Sequence, residues 1–370
     1  MTALDTTPAT HPTHQWPLPP VTPPNAQILA EAHARSDAQA KPLGALGRLE
    51  SLAAWVSACQ GVCPPLPLDD VRVVVLTGDH GVSDHGVSAY PAAVTTAIVN
   101  GAATGYAGIN ALAHPHGIAV RVLDIACQED TLADHRYKIC RSSNPLHLRD
   151  ALTREQTLAA LNAGAAIADE EIDDGAQLLI TGDIGIGNTT PAAALIAATC
   201  SATAQAAAGP GTGLDDAGVA AKAALIQTAL DRVGDRAADP VERLAALGGA
   251  DLAAAAGLMA RAAQRGVPVL LDGVISVAEA VLAAELAPGS ASWFLAGHLS
   301  PEPACQLGLT HLGLDPIIDL GMRLGEGTGA VCAVPIVRTA IAALRDLALL
   351  SDLTPVSHPT GPDGDPAPQS

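Results

Sequence analysis

Five short runs of this chain are apolar almost throughout, without regular polar alternation, and long Ala-rich stretches separate each from the next. They lie at 71–76, 119–124, 177–180, 267–273 and 292–298. A strand buried on both faces has no polar face to alternate with, and strands joined through helices run parallel. The pattern therefore predicts an α/β fold with three layers, a parallel sheet between helices. Several runs end in glycine plus a polar residue: Thr77-Gly78-Asp79-His80-Gly81, Thr181-Gly182-Asp183, Asp272-Gly273 and Gly297-His298. Ligands bind at that edge of open α/β sheets, so these endings should converge on one site.

At 370 residues the chain has room for one large domain, or a large and a small one. Hydrophobic residues make up 49% and aromatics only 2%, so the core must be aliphatic. The helical pieces at 25–65 and 331–353 flank an α/β region at 66–330 and are expected to pack together as a smaller helical unit. The ends, 1–24 and 354–370, are Pro-rich and expected to be disordered. A net charge of −19 argues against a nucleic-acid or anionic-membrane partner, and leaves any phosphate site to backbone amides and a few cations. The seven cysteines are scattered, which points to reduced thiols, and the N-terminus lacks the basic region of a signal peptide. No apolar run of membrane-spanning length is free of Gly or charged breaks, so a cytoplasmic protein is expected.

Near the C-terminal end the chain reads Gly321-Met322-Arg323-Leu324-Gly325-Glu326-Gly327-Thr328-Gly329-Ala330 and then becomes helix-forming. Gly325 and Gly327 let the backbone approach a ligand, and the first amides of the coming helix favour an anion. Glu326 is either a proton acceptor held between them or an ordinary first-turn acid. A second turn, Asp183-Ile184-Gly185-Ile186-Gly187-Asn188-Thr189-Thr190-Pro191, suits a phosphate at a helix N-terminus, although Asn188 or Thr189 could serve only as a cap. It is neither a Walker A loop nor a dinucleotide fingerprint. A third Gly-rich piece, 209–216, precedes a helix carrying Lys222, a phosphate partner or a solvated surface lysine. His298 and Ser300 follow the fifth run, and His298 reads as an acid/base or as a bonded strand-end histidine. His80 and His85 lack the spacing and third ligand of a zinc site.

Together these segments resemble one family. Lys41-Pro42-Leu43-Gly44-Ala45-Leu46-Gly47-Arg48-Leu49-Glu50, Asp79-His80-Gly81-Val82, the stretch from Gly185 to Ala194, Leu271-Asp272-Gly273 and the stretch from Met322 to Ala330 are similar, in order, to blocks of the nicotinate-nucleotide–dimethylbenzimidazole phosphoribosyltransferases. The resemblance spans about residues 25–350. It implies a Rossmann-like sheet, a small helical domain built from both chain ends, and a homodimer. It also implies a reaction. Nicotinate mononucleotide and 5,6-dimethylbenzimidazole give α-ribazole 5′-phosphate and nicotinate, with Glu326 as base. No cofactor is expected, and no metal either, since the leaving group is a cationic ring rather than pyrophosphate and no His, Cys or carboxylate cluster has metal-ligand spacing.

The chemistry agrees with that implication. The nucleotide's pyridinium leaves without an acid, whereas the incoming benzimidazole must shed a proton to a carboxylate. Asp183 stands where the family usually has Glu and is assigned a catalytic role with Glu326. Substrate contacts are assigned to Asp79, Gly185, Gly187, Asn188, Thr189, Thr190, Lys222, His298, Ser300, Gly325 and Gly327. Tyr90 and Ile98 would face the acceptor, and they leave its choice open among dimethylbenzimidazole, adenine and phenols. A nucleotide-binding sensor without chemistry is the reading from another class.

Overall fold

The structure, a computed structural model, describes residues 13–353. Six strands form one sheet: β1 (Val71–Gly78), β2 (Ala119–Ala126), β3 (Leu178–Ile184), β4 (Val269–Leu271), β5 (Phe294–His298) and β6 (Pro316–Ile318). All pairs are parallel and the order is β2-β1-β3-β4-β5-β6. The winding reverses between β1 and β3, the place where crevices open in such sheets. Every residue of β3 is buried. Successive side chains point to opposite faces, so a strand buried at every position is covered on both sides.

The aliphatic composition shows in how the helices meet. Thirteen residues of the helix Ala250–Gln264 are buried, most of them alanine. It packs on Arg154–Asp173 so closely that a side chain at Gly164 would overlap the Ala254 carbonyl, and one at Gly257 the Leu161 carbonyl. Small residues replace the large aromatic payload by letting backbones approach. Thr153 starts the helix Arg154–Asp173 with a capping box completed by Gln156.

Four differences from the sequence reading have local causes. The run at 267–273 yields only a three-residue strand, because Pro268 has no N–H and gives just its carbonyl, to Leu179 N–H at 3.0 Å. The run at 292–298 starts late: Ser290–Trp293 is a 3-10 turn, with Trp293 Nε1 donating to the Thr22 carbonyl at 2.9 Å. The sixth strand, Pro316–Ile318, is three residues long and only partly buried, so it leaves no apolar run to read. Finally, the stretch 1–24 was expected to be disordered, yet Trp16, Leu18 and Val21 in its described part are buried. Leu18 N–H donates to the Leu286 carbonyl and Val21 N–H to the Pro288 carbonyl, each at 2.7 Å. Residues 1–12 and the C-terminal stretch 354–370 lie outside the described residues.

Contacts divide the chain into two compact units. One comprises residues up to Pro24 with Leu68–Ile336 and holds the whole sheet. The other comprises Asn25–Pro67 with residues from Val337 onward, so its boundaries fall a few residues from the expected 65 and 331. In this smaller unit Arg35 Nε donates to the Leu344 carbonyl at 3.0 Å and Gln39 Nε2 to the Ala343 carbonyl at 2.8 Å, satisfying the ends of a helix. Lys41 and Glu50 pair at 2.8 Å, and Glu50 Oε1 accepts the Leu46 N–H at 3.0 Å. The charged ends of the 41–50 motif thus close its own turn. The helix Thr328–Asp346 is long and apolar enough to cross a membrane, but Val331, Val334, Val337 and Ile341 are buried within the protein.

Candidate active site

The C-terminal ends of β3, β4 and β5 open into a cavity of about 520 Å³. Of the residues singled out in the sequence, Tyr90, Ile98, Asp183, Gly185, Asn188, Thr189, His298, Ser300, Gly325 and Glu326 line it. Asp79, Gly187, Thr190, Lys222 and Gly327 do not. Asp79 is turned into the protein, where its Oδ2 accepts the Gln128 N–H at 2.8 Å. Thr190 is fully buried. Asp272, Glu302, Arg323, Thr95 and Thr212 also line the cavity. Asp272 and Arg323 lay inside quoted motifs, but nothing in their spacing distinguished a wall residue from a supporting one.

Glu326 occupies a backbone conformation few residues tolerate. Its φ is 62°, between Gly325 at 79° and Gly327 at 91°, three left-handed residues in succession. Such a conformation costs a non-glycine residue on the order of 1–3 kcal/mol and persists only where its surroundings enforce it. The enforcement is visible. A side chain at Gly182 of β3 would overlap the Glu326 carbonyl, so only glycine lets the loop lie directly on the strand. The side chain is 7% exposed, and its Oε2 accepts the Ile109 N–H at 2.9 Å. Burial raises its pKa above the usual carboxylate range; the Ile109 amide opposes this, and the charge of Asp272 adds to it. Burial outweighs the single amide.

The anion site expected at the following helix N-terminus is already filled from within. Asp272, at the end of β4, accepts N–H groups of Gly327 at 3.2 Å, Gly329 at 2.8 Å and Ala330 at 3.0 Å. His298 Nε2 lies 3.4 Å from its Oδ1. Burial alone would raise Asp272, but His298 and the amides hold it below the usual range. These amides anchor the Glu326 loop to the sheet, so they are not the donors for a substrate phosphate that the sequence suggested.

The turn after β3 is likewise partly committed. Ile186 N–H bonds Thr95 Oγ1 at 3.1 Å, Asn188 N–H the Gly185 carbonyl at 3.1 Å, and Thr190 N–H the Gly187 carbonyl at 3.0 Å. Lys222 is no solvated lysine. Its side chain is buried, and Nζ donates to Thr189 Oγ1 at 2.7 Å and to the Gly209 carbonyl at 3.2 Å. Burial lowers its pKa to about 8, with Glu302 opposing. An ammonium has three donors, and the two bonds leave one for a ligand.

Asp183 faces a different environment. Oδ1 accepts Asn188 Nδ2 at 2.6 Å, while Oδ2 is buried and unpartnered. Burial, with the charges of Asp251 and Glu279, raises its pKa well above the carboxylate range. Behind it Glu279 is pushed up to about 8 by burial, and His80 Nε2 pairs with Asp251 Oδ2 at 3.0 Å. So many carboxyls in one low-dielectric region cannot all ionise. Among the described residues, no group of three or more His, Cys, Asp or Glu is placed to hold a metal ion.

A buried carboxylate lines a mostly apolar crevice, and a buried lysine stands behind the wall residue Thr189, an arrangement open to several kinds of transfer chemistry. Comparison with known proteins makes the class specific: a family model described as a phosphoribosyltransferase matches residues 21–352. The chain belongs to that family, and it is an enzyme of the pentosyl-transferring kind. It is similar to the nicotinate-nucleotide–dimethylbenzimidazole phosphoribosyltransferase of Mycolicibacterium paratuberculosis, with 52% identity over 344 residues, 92% of this chain and 99% of that protein. The protein of the same name from Mycobacterium tuberculosis is 52% identical over 335 residues, 90% of this chain and 93% of that one. The crystal structure of CobT from Thermus thermophilus matches with a TM-score of 0.84 at 40% identity, covering 88% of this chain and 98% of that one.

Proposed function

We propose that this enzyme transfers the phosphoribosyl group of nicotinate mononucleotide to 5,6-dimethylbenzimidazole, with Glu326 as general base. The observation that carries the reading is Glu326 itself: a buried carboxylate in an enforced left-handed conformation, beside a cavity of substrate size. A sensor that only binds a nucleotide gains nothing from that strain.

The lone-pair nitrogen of the benzimidazole attacks the anomeric carbon as the bond to the pyridinium nitrogen breaks. That bond's electron pair returns to the ring, so nicotinate departs without a proton. The proton on the acceptor's other nitrogen passes to Glu326, whose raised pKa brings it nearer to neutrality, where a general base works best. Asp183, whose pKa burial and the neighbouring acids raise well above the carboxylate range, donates a hydrogen bond within the cavity in its protonated form rather than adding a second negative charge. Lys222 and Thr189 meet the 5′-phosphate. Val94, Ile98, Ile186 and Leu324 supply an apolar wall, which favours a methylated benzimidazole over adenine as acceptor. The homodimer implied by the family resemblance, and the cytoplasmic location expected from composition, belong to the same proposal; light scattering and cell fractionation check them.

The test is incubation with nicotinate mononucleotide and a panel of benzimidazoles, purines and phenols, with products identified by mass. The expected product is α-ribazole 5′-phosphate, formed with release of nicotinate. Turnover of purines or phenols in preference to every benzimidazole would overturn the acceptor assignment, and no turnover with any acceptor would overturn the reaction.

A further inference from the structure

Glu302 has no part in the reaction as set out above, yet it is only 5% exposed and lines the cavity. It precedes Pro303, the first residue of the helix Pro303–Leu312. Its Oε1 accepts the Gly211 N–H at 2.7 Å. The space where a side chain at Gly209 would lie is filled by the Glu302 carboxylate, whose Cδ would sit 2.8 Å from that Cβ. On the same loop Lys222 Nζ holds the Gly209 carbonyl at 3.2 Å. A buried carboxylate and a buried ammonium thus grip one short loop, the first by an amide and the second by a carbonyl two residues away.

Other groups around Lys222 are few. Arg323 reaches from 321–325 and donates to the Gly211 carbonyl at 3.0 Å. Thr189 is neutral, and the short helix Ala204–Ala207 brings no charge. On the helix that carries Lys222, Asp215 caps Gly218 N–H and Asp216 sits in the first turn. A lysine enclosed in this way tends to lose its proton unless a carboxylate opposes the loss.

We propose that Glu302 is a positioning residue for the nucleotide phosphate: it is the counter-charge that keeps Lys222 cationic and the 209–213 loop closed beside it. The inference rests on the reading of Lys222 as a phosphate ligand. Because burial has already brought Lys222 down to about 8, removing the carboxylate's charge moves its deprotonation into the neutral range.

The experiment is calorimetric titration of wild type, Glu302→Gln and Glu302→Asp with nicotinate mononucleotide and with its dephosphorylated riboside. It runs from about pH 6 to about pH 9, the range in which such a lysine titrates. Gln keeps an acceptor for Gly211 N–H without the charge; Asp keeps the charge on a shorter arm. In wild type, nucleotide affinity falls as pH rises through the Lys222 value. In Glu302→Gln the fall begins about one pH unit lower, giving about a fivefold loss near pH 8 that approaches about tenfold near pH 9, because a nearby opposite charge shifts a pKa by about 1–3. Glu302→Asp keeps the wild-type alkaline limb, and the riboside shows no change in either variant.

A Glu302→Gln limb that coincides with wild type overturns the inference. So does a pH-independent loss that is worse in Asp than in Gln, since that is the signature of the loop hydrogen bond alone. Should Glu302→Gln fail to fold, judged by thermal unfolding, Glu302→Ser takes its place. If wild type binds nucleotide and riboside equally, the phosphate reading of Lys222 falls first, and this inference with it.

Discussion

Replacing Glu326 by Gln removes one ionisable proton acceptor and changes little else. The amide has nearly the same volume, and its oxygen can still accept the Ile109 N–H now at 2.9 Å. Gln is no better suited than Glu to a φ of 62°, so the backbone strain is unaltered. The loss should therefore appear in the chemical step: turnover falls by about 10²–10⁴-fold, the contribution of a positioned general base. This corresponds to about 2.7–5.4 kcal/mol at about 1.36 kcal/mol per decade. Stability should move the other way. The Glu326 pKa is raised on folding, so the folded state binds its proton more tightly than the unfolded chain does. The resulting penalty is absent below the unfolded value of 4.5 and grows as pH rises through the folded value. Glu326→Gln should then be slightly more stable than wild type at neutral pH and equal to it in acid. Single-turnover measurement of nicotinate release, with nucleotide affinity from calorimetry and thermal midpoints at two pH values, separates these effects. Turnover within about threefold of wild type, with nucleotide affinity unchanged, would refute the base assignment, because it falls far short of what proton abstraction supplies.

Three further outcomes are expected. Lys222→Met, which keeps an unbranched side chain without a charge, should weaken the nucleotide by at least about tenfold, as loss of a charge-assisted hydrogen bond does, and leave the riboside unaffected in calorimetry. Asp272→Asn should lower stability by about 1–3 kcal/mol at neutral pH, since it replaces the acceptor of three amides with a group that is itself partly a donor. Because the Asp272 pKa is depressed on folding, its stabilisation is complete above the unfolded value of 3.8 and is lost as pH falls through the folded value; the variant's denaturation midpoints should lack that acid dependence. Gly164→Ala should cost about 3 kcal/mol or more, since the added methyl overlaps a backbone carbonyl that no rotamer change can move aside; chemical denaturation measures it.

The layered architecture was legible because it rests on composition along the chain: runs such as 71–76 have no polar face, and buried parallel strands are the structures that need none. The short strands were harder. Pro316–Ile318 is three residues, too brief for any periodicity. The site was legible at Glu326 and Asp183, where an acid sits beside glycine at a strand or helix end. What sequence could not show is which acid takes which partner. Asp272 and Glu326 are both carboxylates near the same helix start, yet three amides and His298 go to the first and a single amide of another segment to the second. That division ties Asp272 to the loop it anchors and leaves Glu326 with one amide. Burial of the segment around Trp16 was missed because proline-rich composition describes backbone preference, while Trp16, Leu18 and Val21 find their partners far along the chain.

The seating of the Glu326 loop on β3 sets where this enzyme can be altered. Gly182 lies beneath the Glu326 carbonyl, Asp272 clamps the amides that follow, and Gly329 admits no side chain because the His298 ring occupies the space. A library that varies these positions unseats Glu326 before it explores any new acceptor. Tyr90, Val94 and Ile98 line the same cavity from a different part of the chain. Tyr90 is 55% exposed, and the hydrogen bond that holds Glu326 comes from Ile109 rather than from this wall. Evolution or engineering toward a different base has its freedom on that wall, so acceptor range and catalytic competence can vary separately.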